Sequence, residues 1–292
     1  MQTELKLGDG IRWPGGKKVA VMLTFDFDAQ TLQHARFPGE KLLFADESRG
    51  KYGPDEGIWR CLKMLERQNI KATFFIPGYV IEHYKEQVEA VVQAGHEIAY
   101  HGYLHDDNYA TIPPEEELRN MEKAEALIKS LTGKKPVGHR APGGFPQAYY
   151  VDMLKERGYL YSSQLSPEIS CDWAYAYERG GKKLPLVELC TDVMLDDFPY
   201  YFMSFTPPAH RHMCNNDMVY EIFQDEFDGR VEEADKIMVL KLHPSLIGRA
   251  SRIRMVEKLV EYMKENGAWI ATCEEVAEYV LKENGLERSA RV

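Results

Sequence analysis

The 292-residue chain has no apolar run that approaches the ~20 residues needed to cross a bilayer, so no membrane-spanning helix is expected. Its first ten residues, MQTELKLGDG, lack the apolar core of a secretion signal. The five cysteines (Cys61, Cys171, Cys190, Cys214 and Cys273) are odd in number and never occur in Cys-x-x-Cys spacing. That disfavours both a disulfide framework and a cysteine-based zinc site, and a reducing cytoplasm is the simplest compartment. Basic clusters are also missing. Lysine and arginine total 36 against 46 acids, a net charge of −10, and the pairs Lys17-Lys18 and Lys134-Lys135 flank expected strands. A nucleic-acid or anionic-membrane partner needs a basic footprint that this chain does not offer. A small-molecule ligand is compatible with this balance, and homo-oligomerisation is left open. No internal repeat or low-complexity segment is present.

Strand-like and helix-like segments alternate almost throughout. Strands are expected at residues 18–25, 71–76, 96–100, 136–139, 159–163, 186–190, 237–242 and 268–272. Helices are expected at 57–68, 80–94, 113–131, 146–157, 252–265 and 274–282, and residues 166–183 read as irregular. Pro113-Pro114 followed by three glutamates is a favoured helix start, and Gly133 a plausible stop. Seven or eight strand–helix units without a linker predict one α/β barrel in a single domain, its core at about residues 18–283. The long segments after the first and sixth strands read as loops that cover a site.

Candidate chemistry falls at the ends of these strands. His101-Gly-Tyr-Leu-His105 follows the third; on one helical turn, positions i and i+4 face the same way, so two imidazoles can reach one metal ion. Asp26 and Asp28 follow the first strand, Arg140 the fourth and His243 the penultimate one. In a parallel barrel all these ends meet on one face. Each residue also has an ordinary reading, as a helix cap, a loop hydrogen bond or a surface ion pair. Together they suit metal-assisted hydrolysis: one carboxylate and two histidines hold a divalent ion, most simply Zn2+, which lowers the pKa of water and polarises a carbonyl. A second carboxylate can accept a proton, and a histidine opposite can donate one to a leaving nitrogen.

In these motifs the chain resembles the polysaccharide deacetylases of the NodB-homology type. Thr24-Phe-Asp-Phe-Asp28 is similar to their Thr-Phe-Asp-Asp, with one residue inserted between the acids. His101-Gly-Tyr-Leu-His105 resembles His-[Ser/Thr]-x-x-His with Gly102 in the hydroxyl position; Arg140-Ala-Pro-Gly-Gly144 matches Arg-x-Pro-x-Gly, and Leu240-Lys-Leu-His243 matches Leu-x-Leu-His. Asp172-Trp173 is a looser match to their Asp-Trp pair. The resemblance implies a distorted, incomplete (β/α) barrel. It makes Asp28, His101 and His105 the metal ligands, Asp26 the general base and His243 the general acid. Arg140 would orient Asp26, Asp172 would orient His243, and the backbone N–H of Gly143 would face the oxyanion.

The inserted Phe27 puts Asp26 and Asp28 on one side of an extended strand, so both could approach the metal. Trp13-Pro-Gly-Gly-Lys17, Leu195-Asp-Asp-Phe-Pro199 and His243-Pro-Ser-Leu-Ile-Gly-Arg249 resemble a subset that includes cyclic-imide hydrolases, allantoinase-like enzymes and peptidoglycan-deacetylase-annotated proteins. Asp196-Asp197 reads equally as part of the site or as a loop turn. N-deacetylation of an amino sugar therefore competes with opening of a small cyclic amide. Residues 29–55 and 190–213, as covers, would favour small amides over polymeric glycans. A catalytically silent barrel that binds sugar through Tyr149, Tyr150, Trp173 and Tyr175 is the alternative of a different class.

Overall fold

The computed structural model describes residues 11–31, 33, 41–105, 111–144, 149–164, 172–207, 209–210 and 213–288. Among these, nine strands form one sheet: β1 (Val19–Asp26), β2 (Thr73–Ile76), β3 (Glu97–Tyr100), β4 (Gly138–His139), β5 (Tyr161–Ser162), β6 (Ala174–Arg179), β7 (Lys182–Leu189), β8 (Lys236–Leu242) and β9 (Ala268–Ile270). The order is β6-β7-β5-β4-β3-β2-β1-β8, with β9 sharing β1. All neighbours are parallel except the β6–β7 hairpin. The sheet curls into a distorted, incomplete (β/α) barrel.

β1 is buried along its whole length and shows why the curl is stable. Val19, Val21, Leu23, Phe25 and Phe27 join the core beneath the surrounding helices, whereas Ala20 and Met22 join the core inside the barrel. The period of two continues into Thr24, Asp26 and Asp28, so both acids project on the interior side. The interior core includes Phe75, Ala99, Val137, Val187 and Leu189, and is closed below by Val276, Ala277 and Val280 of the helix Cys273–Glu283.

Register brings the strand ends level. Ile76 pairs with Tyr100, Tyr100 with His139 and His139 with Ser162. His101, Arg140 and Ser163 therefore emerge side by side, and the N–H of Arg140 donates to the Tyr100 carbonyl at 3.0 Å. On the other flank Phe25 pairs with Leu242, which brings His243 beside Asp26. Gly57 lies under the turn that follows; a Cβ there would meet the Pro244 carbonyl oxygen at 2.0 Å.

Several expectations need correction. The helix read at 80–94 is two, Gly78–His83 and Lys85–Gln93, broken at Tyr84 (φ −126°, ψ 49°). The irregular stretch contains β6, which turns at Gly180-Gly181 into β7. The segment after Cys190 is not all loop, since it carries an 18-residue helix, Asn216–Glu233, started by the Asn215 side chain. The segment after β1 carries the helix Phe44–Tyr52, which runs on through a wide turn at Gly53–Gly57 into Ile58–Arg67. Cys171 and part of the helix read at 146–157 lie outside the described residues. No helix among the described residues is long and apolar enough to cross a membrane.

Candidate active site

Asp26, Asp28, His101, His105, Arg140 and His243 converge at the carboxyl ends of the strands, all buried. His101 Nε2 lies 3.4 Å from Asp28 Oδ1 and 3.9 Å from Asp26 Oδ2. His243 Nε2 lies 3.7 Å from Asp28 Oδ2 on the other side. Candidate ligand atoms of Asp28, His101 and His105 all fall within 4.8 Å of one another.

The two histidines do not meet on a helical turn, as their spacing suggested. Residues 101–105 form a loop whose Gly102 has φ 71°, a conformation that favours glycine over the usual hydroxyl residue. The loop is held by the N–H groups of Gly78 and Tyr79, which donate to the carbonyls of Gly102 and Tyr103 at 3.0 and 2.8 Å. His101 Nδ1 is held by the Arg140 carbonyl at 2.8 Å, which leaves Nε2 toward Asp28.

Among the described residues, four buried polar atoms here have no hydrogen-bond partner: both oxygens of Asp28, His101 Nε2 and His105 Nδ1. Unsatisfied buried groups of this kind are costly, and one carboxylate with two imidazoles is a donor set that suits a divalent ion. Burial holds His101 at about 4 and His105 at about 3, so both are neutral, the form a ligand needs. Burial also lifts Asp28 to about 7, with His243 opposing and Asp26 adding to the rise. The second acid–histidine group, Asp196, Asp197 and His243, fits a metal less well, because its atoms are already bonded to one another and to Lys241.

Asp26 is held differently. Burial works to raise its pKa, but Arg140, then His101 and His243, outweigh it and keep the carboxyl well below the usual range. Arg140 donates Nη1–H to Asp26 Oδ1 (2.6 Å) and to Thr24 Oγ1 (2.9 Å). It also donates Nε–H and Nη2–H to the carbonyl and hydroxyl of Ser163, both at 2.9 Å. Four of its five N–H groups are therefore spent locking one orientation, over the face of Phe75.

Asp172 does not orient His243, which corrects the expectation above. It lies at the opposite end of β8, where its carbonyl accepts the Ile237 N–H (2.8 Å) and its carboxylate pairs with Arg230 (2.7 Å). The residue in that place is Asp197, one of the two acids read equally as site or turn. Its carboxylate accepts His243 Nδ1–H at 2.6 Å and the His243 backbone N–H at 3.0 Å. Burial lowers the pKa of His243, but Asp197, then Asp196 and Asp28, raise it to about 10. Asp196 instead pairs with Lys241 at 2.6 Å.

Gly143 is exposed in the turn Pro142–Gly144 with φ 66°, directly after Arg140 and Ala141. Of the aromatics of the sugar-binding alternative, Tyr149, Tyr150 and Tyr175 pack into or against one hydrophobic core cluster, and Trp173 lies apart from them. Tyr150 is buried between His139 and Tyr149, Tyr175 packs on Tyr177, and Trp173 lies by Lys236 at the far end of β8.

A curled parallel sheet with this acid, histidine and arginine set at its carboxyl end defines a hydrolase of the deacetylase type. Residues 49–162 match the sequence profile of the family described as polysaccharide deacetylase. A peptidoglycan deacetylase of Helicobacter pylori is 30% identical over 290 residues, covering 92% of this chain and 98% of that protein. A solved structure from Mycobacterium smegmatis, assigned to the polysaccharide deacetylases, superposes with a TM-score of 0.85 at 29% identity over 97% of both chains. The Puue allantoinase shares the fold, with a TM-score of 0.81 at 22% identity over 97% of this chain and 96% of that one. The chain belongs to the polysaccharide deacetylase family, the NodB-homology group.

Proposed function

We infer that the protein is a divalent-metal-dependent amide hydrolase that removes an acyl group from nitrogen. The observation that carries this reading is the opposite tuning of two buried groups on either side of Asp28, His101 and His105: Asp26 is kept anionic by Arg140, and His243 is kept protonated by Asp197. A general base and a general acid need that difference to work at one pH. Asp28, His101 and His105 would hold the ion, with zinc favoured by the nitrogen and oxygen donor set. When bound, such an ion supplies Lewis acidity that lowers the pKa of water and polarises an amide carbonyl.

The chain's own residues divide the remaining work. Asp26, fixed by Arg140, takes the proton of the attacking water. The N–H of Gly143 would lie where negative charge develops on the carbonyl oxygen. His243, aimed through Nδ1 by Asp197, presents Nε2–H to the leaving nitrogen, which departs poorly without a proton. Burial of all six side chains favours a compact acyl amide, either a short N-acetylated amino sugar or a cyclic amide, over an extended glycan.

The test combines metal analysis with an amide panel. His105→Ala should lose bound metal and activity together. Asp26→Asn should keep the metal and lose about 10²–10⁴-fold in turnover. Unchanged metal stoichiometry in His101→Ala and His105→Ala proteins would overturn the ligand set, and loss of metal from Asp26→Asn would make that residue a ligand instead. A higher kcat/KM on long N-acetylated oligomers than on small amides and cyclic imides would reject the compact substrate.

A further inference from the structure

Beside the site, a cavity of about 540 Å³ opens between the helix Phe44–Tyr52, the chain after Tyr201 and the start of the helix Ala250–Glu265. Its described walls carry three arginines, Arg49, Arg249 and Arg252, and no aspartate or glutamate. In a chain of net charge −10 that concentration of one sign is unexpected. Among the described residues, none of the three guanidinium groups pairs with a carboxylate.

They are held by aromatic faces instead. Arg249 lies 3.4 Å from the ring centre of Tyr52, Arg252 lies 4.0 Å from that of Tyr201, and Arg49 lies 5.3 Å from that of Phe205. Stacking fixes the plane of a guanidinium while leaving its edge donors free for a planar or tetrahedral oxyanion. Arg252 spends one N–H on the Leu246 carbonyl at 3.0 Å and another on Met213 Sδ at 3.3 Å, which orders it further and leaves its remaining N–H groups for a ligand. The acid acting on Arg252, Asp197, is already bonded to His243. Burial first, and then the other arginines, push Arg249 and Arg252 below their ordinary pKa, so the cluster repels itself as built. The helix Ala250–Glu265 also starts at Arg249 without a side-chain cap, which places its positive end at the same edge.

The cavity adjoins the reactive centre through the chain. Ser245 and Leu246 follow His243, and Tyr201 donates its N–H to the carbonyl of Asp197 at 3.1 Å. We propose that the Arg49–Arg249–Arg252 cavity is a second binding site, for the oxyanion group of a small ligand, either a carboxylate or a phosphate. Such a group would supply the charge the three arginines lack and would sit next to the hydrolytic centre without touching its metal ligands.

Calorimetric titration of metal-loaded protein with inorganic phosphate and, separately, with succinate tests this. At least one probe should bind, and His105→Ala should bind it as the wild type does, so the outcome is independent of the hydrolytic reading. Arg249→Gln should weaken binding about tenfold, the loss expected for a charge-assisted contact, and Arg249→Gln/Arg252→Gln should weaken it further. Arg249→Lys should recover part of the affinity, and thermal unfolding would show each variant to be folded. Tighter binding of phosphate or of succinate identifies which oxyanion the site was built for. Absence of saturable binding by either probe overturns the proposal. So does binding that survives the double substitution and disappears in His105→Ala, because the anion would then sit at the metal centre.

Discussion

Asp197→Asn isolates the acid half of the site. Asp197 is fully buried and makes both hydrogen bonds that fix His243. The amide is nearly isosteric, so packing survives while the charge is lost. With Asp197 ionised, His243 stays protonated up to about 10; without it, burial acts against Asp196 and Asp28 alone and the value falls toward or below the ordinary 6.5. At pH 8 an imidazole with that ordinary value keeps its proton only about 3% of the time, a ~30-fold loss from protonation alone. Misaiming of the ring adds to this, for a total within the ~10²–10⁴-fold range typical of a lost general acid. The sign follows from the raised pKa: activity that needs protonated His243 is present at low pH and lost as pH rises through its value. The alkaline limb of kcat/KM for an N-acetylated amide should therefore move to lower pH, while bound metal stays at wild-type stoichiometry. An unmoved limb with a rate within about threefold of wild type would refute the acid role of His243 and the aiming role of Asp197.

Arg140→Met should cost about 3–5 kcal/mol in chemical denaturation, because Asp26 is left buried without its cation, and Asp26→Asn added to it should restore part of that loss. Asp172→Ala should keep kcat near wild type and lower stability by no more than about 1 kcal/mol, since the Arg230 partner carboxylate is about half exposed. A large fall in kcat with stability intact would return Asp172 to the catalytic set.

Much of the site could be read from local pattern because parallel strands end on one face. Asp26, Asp28, His101, Arg140 and His243 each fall at or just beyond the end of a strand expected from the sequence, and the register of β1 with β8 brings the outer two ends together. Asp172-Trp173 matches its motif only loosely, and an Asp-Trp pair carries no information about which end of a strand it borders. Asp196-Asp197 reads evenly as site or turn because a pair of acids before Phe-Pro makes an ordinary turn, and Asp196 does accept the Phe198 N–H as a turn residue would. The β6–β7 hairpin had a visible signal in Gly180-Gly181, which an adjacent run of charges obscured. The helix Asn216–Glu233 buries Val219, Phe223 and Phe227 at four-residue intervals, but acids between them dilute the stripe. No Gly or Pro marks the break at Tyr84, whose hydroxyl donates to Gln30, a contact distant in sequence.

The outer edge of β8 has a consequence for the behaviour of the whole chain in solution. As an edge strand, the run Ile-Met-Val-Leu offers the backbone groups and side chains that recruit other chains into aggregates. Here both ends of that edge are occupied by irregular segments. The Asp172 carbonyl takes the Ile237 N–H at one end, and the Asp197 N–H reaches the Lys241 carbonyl at the other, each at 3.0 Å or less. Arg230 closes the first end again by donating to the Ile237 carbonyl. Both ends of the edge are thus covered, and the segment that aims His243 also shields the strand on which His243 stands.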